Sequence, residues 1–476
     1  MDKLQSKVLE NFKEISRIPR CSGNEKGISN FIKEKLKRMG LNPVQDEFNN
    51  IYVKKEASPG SEDKRGVILQ GHMDMVCEKA CDSDHDFDKD PIDLLVDGDN
   101  LYANKTTLGA DDGIGVAMSL AILEEDIRHP EIEVLITTSE ETGMDGARGF
   151  DKKTLTGRYL INIDSEEEGV LTASCSGGIE GEIAFRPEIE KLESKNIYKL
   201  RVSGLKGGHS GAQINRIHTN AIKLLGEILE KMRTAFDYKL IKAEGGTKHN
   251  AIPNQAQAIL AFSEDEDEIS EVSEQIINEF VESNLKKEPD IEIRLEKINE
   301  NMDYSLSEDS FRRVLNMIQL LPHGINTMMK DLDIPESSDN LAIFNADKDQ
   351  IKAILSIRSS NIEKREELMD KVENVGDFIG AKVNFGEGYP GWEFKEESEL
   401  RDILLKAYKE VSGKDMEVTA IHAGLECGLF VEEIPDLDAV SIGPDLHDIH
   451  TYKERLSISS AERVYESLKK SIEYLA

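Results

Sequence analysis

Acidic and histidine side chains recur in this chain at spacings that could hold a cation and move a proton. In Gly71-His72-Met73-Asp74-Met75 the histidine and the aspartate stand two apart. In extended backbone such a pair shares a face. One ring nitrogen of His72 could then ligate a metal while Asp74 holds the other. The pair alone equally fits a loop histidine beside a solvated aspartate. Leu108-Gly109-Ala110-Asp111-Asp112-Gly113-Ile114-Gly115 puts two carboxylates at a helix start. Acidic residues there are commonly caps. The surrounding glycines, however, fit close backbone approach, and a carboxylate so placed could bridge two cations. Ser139-Glu140-Glu141-Thr142-Gly143 offers adjacent carboxylates that diverge, so one can bind metal while the other faces substrate as a general base. Asn162-Ile163-Asp164-Ser165-Glu166 adds Asp164 as a further oxygen donor, and His447-Asp448-Ile449-His450 adds histidine near the C-terminus. Each motif by itself is compatible with a solvated loop. Together they form a nitrogen-and-oxygen donor set without cysteine, which suits zinc or a similar divalent ion.

The first, third and fourth motifs follow apolar strands: Val67-Ile68-Leu69, Ile132 to Thr137 and Tyr159 to Ile163. Open α/β sheets place their sites at such strand ends. Helical spacing runs over 4–15, 28–39 and 113–124. Strands alternating with helices imply an α/β sheet with parallel strands. The middle changes character, with strands at 197–202, 258–262, 291–295, 351–357 and 381–385 and helices at 221–232, 269–281, 308–321 and 362–378. This reads as an α+β insertion, closed by the loop Gly386, Gly388, Pro390 and Gly391. Helix–strand alternation then returns to the end of the chain. One discontinuous α/β domain, 1–180 with 389–476, carrying an inserted α+β domain over 181–388, is the expected organisation.

The 476 residues are 38% hydrophobic and 32% charged, with 59 basic against 93 acidic residues and a net charge of −34. Such a chain repels nucleic acid and anionic membrane, so neither is expected as a partner. The longest apolar stretch, Val116 to Leu123, is broken by Ser119 and falls far short of the roughly 20 residues of a spanning helix. The start, Met1 to Lys7, has no apolar core of the signal-peptide kind. Five cysteines, an odd number, do not read as a disulfide framework. Cys77 and Cys81 lack the second pair a cysteine metal site needs, and the expected compartment is the cytoplasm.

The order of these motifs resembles the co-catalytic zinc peptidase superfamily that includes aminoacylase and glutamate carboxypeptidase, and within it the aminoacyl-histidine dipeptidase family. The likeness rests on Leu69 to Val76, Leu108 to Gly115, Ser139 to Gly143, Gly207-Gly208-His209-Ser210-Gly211 and His422-Ala423-Gly424-Leu425-Glu426-Cys427-Gly428, and it runs over nearly the whole chain. It implies a zinc-peptidase domain with a mixed sheet flanked by helices and an inserted α+β lid and dimerisation domain. It implies two zinc ions, one on His72 and Asp164, the other on Glu141 and His450, with Asp111 bridging; cobalt and manganese share this ligand set. His450 is preferred to His447 because Glu454-Arg455 follows it at the family spacing. Asp74 would orient His72, and Glu140 would be the general base. His209 would stabilise the oxyanion at a partner subunit's site in a homodimer. Asn250 and Arg358 would hold the substrate's C-terminal end, and His422 and Gly424 would line the pocket. A cis Asp111–Asp112 peptide is also implied. The expected activity is metal-dependent hydrolysis of dipeptides, including those ending in histidine. Tripeptides, N-acyl amino acids, or a binding protein without catalysis are the alternatives.

Overall fold

Val67–His72 and Ile132–Thr137 are buried along their whole length, and parallel strands covered on both faces require this. The computed structural model describes residues 6–193, 196–211, 213–216, 219–330 and 332–476. Two compact units divide the chain: Met1–Cys175 with Phe394–Ala420 and Leu425–Ala476, and Ser176–Glu393 with Ile421–Gly424.

Among the described residues, the first unit carries an eight-stranded mixed sheet. Its centre is four parallel strands in the order Ile132–Thr137, Val67–His72, Tyr159–Asn162 and Asp438–Ser441. Antiparallel strands extend it on both sides, which is what makes the sheet mixed. The helix Ala110–Leu123 is buried all round, and the kink at Asp111 and Asp112 lets it start three residues before the apolar run suggests. The helix Lys7–Ile15 is capped by the Ser6 hydroxyl; the expected start at Leu4 lies outside the described residues. Ile458–Leu475 buries Ala461, Val464, Leu468 and Ile472 at helical spacing and is capped by Ser457.

The second unit, among the described residues, is an antiparallel nine-stranded sheet. Helices Ala221–Arg233, Glu266–Asn284, Glu308–Leu320 and Ile362–Ile379 share its apolar core. Their starts are legible: Asn220, Ser307 and Asn361 each accept a hydrogen bond from a backbone N–H of the first turn. Four strands of this sheet lie where periodicity is silent: Gly177–Phe185, Tyr238–Gly245, Gly324–Met328 and Pro335–Ala346. The short stretch Ile421–Gly424 groups with this unit although it falls inside the span expected for the other. The reason is local: the His422 ring is hydrogen-bonded by Ser176 and by Ser338, each at 2.7 Å.

One cysteine expectation is corrected. Cys21 and Cys77 form a disulfide with Cα atoms 5.7 Å apart, leaving Cys81, Cys175 and Cys427 free. An odd count hides a single pair, and the two residues are brought together by the bridge between Cys21 and Met75. Cysteine usage therefore gives no support to a cytoplasmic compartment. Among the described residues, no helix is long and apolar enough to cross a membrane.

Candidate metal centre

The parallel strands end in a cluster of side chains within the first unit. Val67–His72 delivers His72, buried, and after it Asp74. Ile132–Thr137 leads into Glu140 and Glu141 through Ser139, whose φ of 57° turns the chain sharply. Tyr159–Asn162 leads to Asp164. Asp111 comes from the kinked helix start, where the Asp111–Asp112 peptide is cis, as the likeness implies. His450, at φ 58°, comes from the segment before the last helix.

These residues converge. His72 Nε2 lies 3.2 Å from Asp111 Oδ1 and 3.3 Å from Asp164 Oδ1. His450 Nε2 lies 3.0 Å from Asp111 Oδ2 and 3.0 Å from Glu141 Oε2. The two oxygens of Asp111 thus face two different histidines. On its other nitrogen, His72 Nδ1 stands 3.4 Å from Asp74 Oδ1. Asp74 is itself fixed by the Ser22 hydroxyl at 2.8 Å and by the backbone N–H groups of Glu140 and Glu141 at 3.1 and 3.4 Å. Glu140 Oε2 is 4.0 Å from His72 Nε2. His447, by contrast, is exposed on the Leu446–His447 strand.

The donor set fits divalent cations. One atom each of His72, Asp111 and Glu141 lies within 4.8 Å of the others. Glu141 Oε1 is buried without a hydrogen-bond partner, a costly state unless a cation takes the lone pair. Burial pushes the Glu140 carboxyl up to about 9, with Asp164, Glu426 and Glu141 adding repulsion. Burial likewise raises Asp164 to about 6 and Glu166 to about 7. Hydrogen bonds to Asp111 and Glu141 raise the His450 imidazole to about 10. Burial opposes ionisation of Asp111, yet His450 and His72 outweigh it and hold that carboxyl well below its ordinary range. Neutral imidazole and oxygen donors in this number match zinc and its neighbours.

Several residues that the sequence reading gave no supporting role, Asp112, Glu454 and Arg20, brace this cluster. Asp112 accepts from the backbone N–H of His72 at 3.1 Å and of Gly115 at 3.1 Å. A Cβ at Gly71 or Gly115 would collide with its carboxylate, which is why glycine stands at both positions. Glu454 Oε2 accepts from the backbone N–H groups of Leu108 and Gly109, and Oε1 from that of Ala110, all at 2.7–2.9 Å. Arg20, almost wholly buried, donates to the carbonyls of Met73, Asp74 and Gly109. The glycine density around Asp111 was a signal for this crowding. Nothing local announces Arg20.

The second unit gathers its own polar group. Arg358, on the strand Ile351–Ser359, is largely buried and donates to the Tyr389 hydroxyl at 2.8 Å, while its Nε has no partner. Burial, then the Arg358 charge, pushes the His422 ring down to about 3 and lowers His209. His209 lies on the two-residue strand Gly208–His209, paired with Ala251–Ile252, and accepts at Nδ1 from the Gly211 N–H at 3.1 Å. Asn250 precedes that partner strand, and its carbonyl accepts from the Ser210 N–H at 2.9 Å. Gly424 lies in the loop after Glu417–Ile421.

The chain is similar to known proteins over nearly its whole length. The chain is 35% identical over 458 residues to the cytosol non-specific dipeptidase of Escherichia coli (strain K12), covering 94% of this chain and 93% of that one. The crystal structure of aminoacylhistidine dipeptidase from Vibrio alginolyticus superposes with a TM-score of 0.93 at 33% identity, over 100% of this chain and 99% of that one. An aminopeptidase structure from Bacillus cereus shares the fold at a TM-score of 0.57 and 15% identity, covering 98% of each chain. The model of peptidase family M20/M25/M40 matches residues 68–474, which takes in each of the converging acids and both histidines. The chain therefore belongs to peptidase family M20/M25/M40.

Proposed function

We propose that this protein is a metal-dependent dipeptidase that cleaves dipeptides, among them those ending in histidine. The observation that carries the reading is Asp111, whose two oxygens each face a different histidine. Two divalent ions, zinc by family likeness, would be held by His72, Asp111 and Asp164 and by His450, Asp111 and Glu141. When bound, they supply Lewis-acid activation of water and of the scissile carbonyl. Glu140, held close to His72 without being one of the ligands, takes the proton of the attacking water and passes it to the leaving amine. Asp74 orients the His72 ring and so fixes which nitrogen faces the metal. Arg358 and Asn250 bind the substrate's terminal carboxylate, for which a planar guanidinium is well suited. His209 steadies the oxyanion, donated to a second copy of the chain in a homodimer, and His422 and Gly424 line the pocket. The dipeptide class and a cytosolic location rest on the likeness to the two full-length relatives.

The test is a substrate panel: β-alanyl-histidine, ordinary dipeptides, a tripeptide and an N-acetyl amino acid. Chelated protein is assayed first, then protein reloaded with zinc, cobalt or manganese. Metal-dependent cleavage confined to dipeptides is expected. Cleavage of the tripeptide or the acyl substrate alone overturns the substrate class, and cleavage unaffected by chelation overturns the metal mechanism.

A further inference from the structure

Beneath the proposed ligands, a row of wholly buried polar side chains crosses the parallel strands of the first unit. Gln70, Asn162 and Ser441 occupy matched positions on three neighbouring strands: Gln70 pairs with Asn162, and Asn162 with Ser441. All are inaccessible to solvent, as is Glu426 just before the helix Cys427–Glu433. The side chains are joined end to end. Ser441 Oγ donates to Asn162 Oδ1 at 2.5 Å, Asn162 Nδ2 to Gln70 Oε1 at 2.7 Å, and Gln70 Nε2 to Glu426 Oε2 at 2.5 Å. The Thr137 hydroxyl, from the fourth parallel strand, donates to the same Glu426 oxygen at 2.7 Å. At the far end, Ser165 Oγ sits 2.8 Å from Ser441 Oγ.

The direction of this row follows from its terminus. Glu426 Oε2 accepts from both the Thr137 hydroxyl and the Gln70 amide, so Gln70 turns its NH2 towards Glu426. The Gln70 carbonyl then faces Asn162, which must donate to it, and the Asn162 carbonyl in turn takes the Ser441 proton. Bonds aligned in one direction polarise and strengthen one another. Gln70 lies two residues before His72, and Asn162 two before Asp164. Gln70 and His72 share the strand Val67–His72, where residues two apart share a face, and Asp164 follows just past the end of Tyr159–Asn162, so the row fixes the two strand ends from which His72 and Asp164 meet at 3.3 Å.

We propose that Glu426 is a positioning residue: its carboxylate terminates and orients the hydrogen-bonded row Ser441–Asn162–Gln70, and thereby sets the spacing of His72 and Asp164 for one of the two metal ions. This rests on the assignment of His72 and Asp164 as ligands. Outer-shell partners of metal ligands typically carry about tenfold to hundredfold of metal affinity.

The experiment uses full-length protein, apo and reloaded with cobalt. The readouts are metal stoichiometry, stepwise cobalt affinity, the visible spectrum of the cobalt form, and kcat with KM. Glu426→Ala is expected to weaken one of the two cobalt steps about tenfold to hundredfold and to shift the spectrum, with the other step unchanged. Glu426→Gln, whose amide oxygen can accept the same two bonds, is expected to restore affinity and spectrum. If Glu426→Ala fails to fold, the exchange pair serves. Gln70→Glu sets two carboxylates face to face and is expected to lose the same metal step. Adding Glu426→Gln to it rebuilds a donor–acceptor contact with the carboxylate moved one place along, and is expected to recover that step. Wild-type spectrum and affinity in Glu426→Ala, or no rescue by Glu426→Gln or by the exchange pair, overturns the proposal. An Asp164→Asn control that still binds two ions with unchanged affinity overturns the ligand assignment, and the proposal falls with it.

Discussion

Histidine behaves in opposite ways in the two units of this protein. In the first, His450 stands against Asp111 and Glu141, and its pKa is lifted to about 10. In the second, burial and the charge of Arg358 press His422 down to about 3. The first unit concentrates carboxylates at the ends of parallel strands, an excess of negative charge that a cation resolves. The second builds an antiparallel sheet around one guanidinium and neutral rings, a setting that favours an anion. The residue type is the same; burial and the sign of the neighbouring charge decide its chemistry.

The contrast can be broken most severely at Asp111. Asp111→Asn leaves each histidine facing an amide, and the expected outcome is loss of metal stoichiometry below two together with loss of turnover. Elemental analysis of the purified variant checks this, and two tightly held ions in it would contradict the bridging role. Glu140→Ala comes next. It should keep both ions but lower kcat by about a hundredfold to ten-thousandfold, the usual contribution of a positioned general base. Near-normal turnover there would remove Glu140 from the mechanism. At the anion-favouring centre, Arg358→Ala should raise KM for dipeptides about tenfold to hundredfold, the loss expected from a charged hydrogen bond, while metal content stays at two. An unchanged KM would detach Arg358 from substrate binding.

Smaller effects concern the frame. Glu454→Gln turns one donor towards backbone N–H groups that now share a carboxylate. The expected cost is about 1–3 kcal/mol of stability, read by denaturant melts of the apo protein, and an unchanged midpoint would mean that the Leu108–Ala110 turn holds itself. Last, His422 has a folded-state pKa below that of the unfolded chain, so its contribution is intact above about pH 6.5 and is lost as pH falls towards 3. His422→Gln should therefore flatten the acid side of the apo stability profile. A profile parallel to wild type would assign that slope to other groups.

The first unit was the more legible of the two, for a physical reason. Its parallel strands are short apolar runs, and its converging side chains sit directly after them, as in Val67–His72 and Ile132–Thr137. The strand Pro335–Ala346 in the second unit opens with Pro335, Glu336, Ser337, Ser338, Asp339 and Asn340. Nothing in that composition signals a strand, because main-chain pairing with the neighbouring strand and the bond of Ser338 to the His422 ring, rather than an apolar pattern, hold this stretch extended. Gly177–Phe185 is similarly masked by its glycines, which make room for Tyr389 and Gly391.

The order of the acidic and histidine motifs along the chain, their place after apolar strands and the helix caps were determined by local sequence, since each depends on neighbours a few residues away. The tertiary structure alone decided the pairing of Cys21 with Cys77, the clamping of the Gly109 turn by Arg20 and Glu454, and the alignment of Gln70, Asn162 and Ser441 under Glu426. Those contacts join residues from about 56 to 356 positions apart. Such partners are selected by strand register and packing, and neither is written in any local window of the sequence.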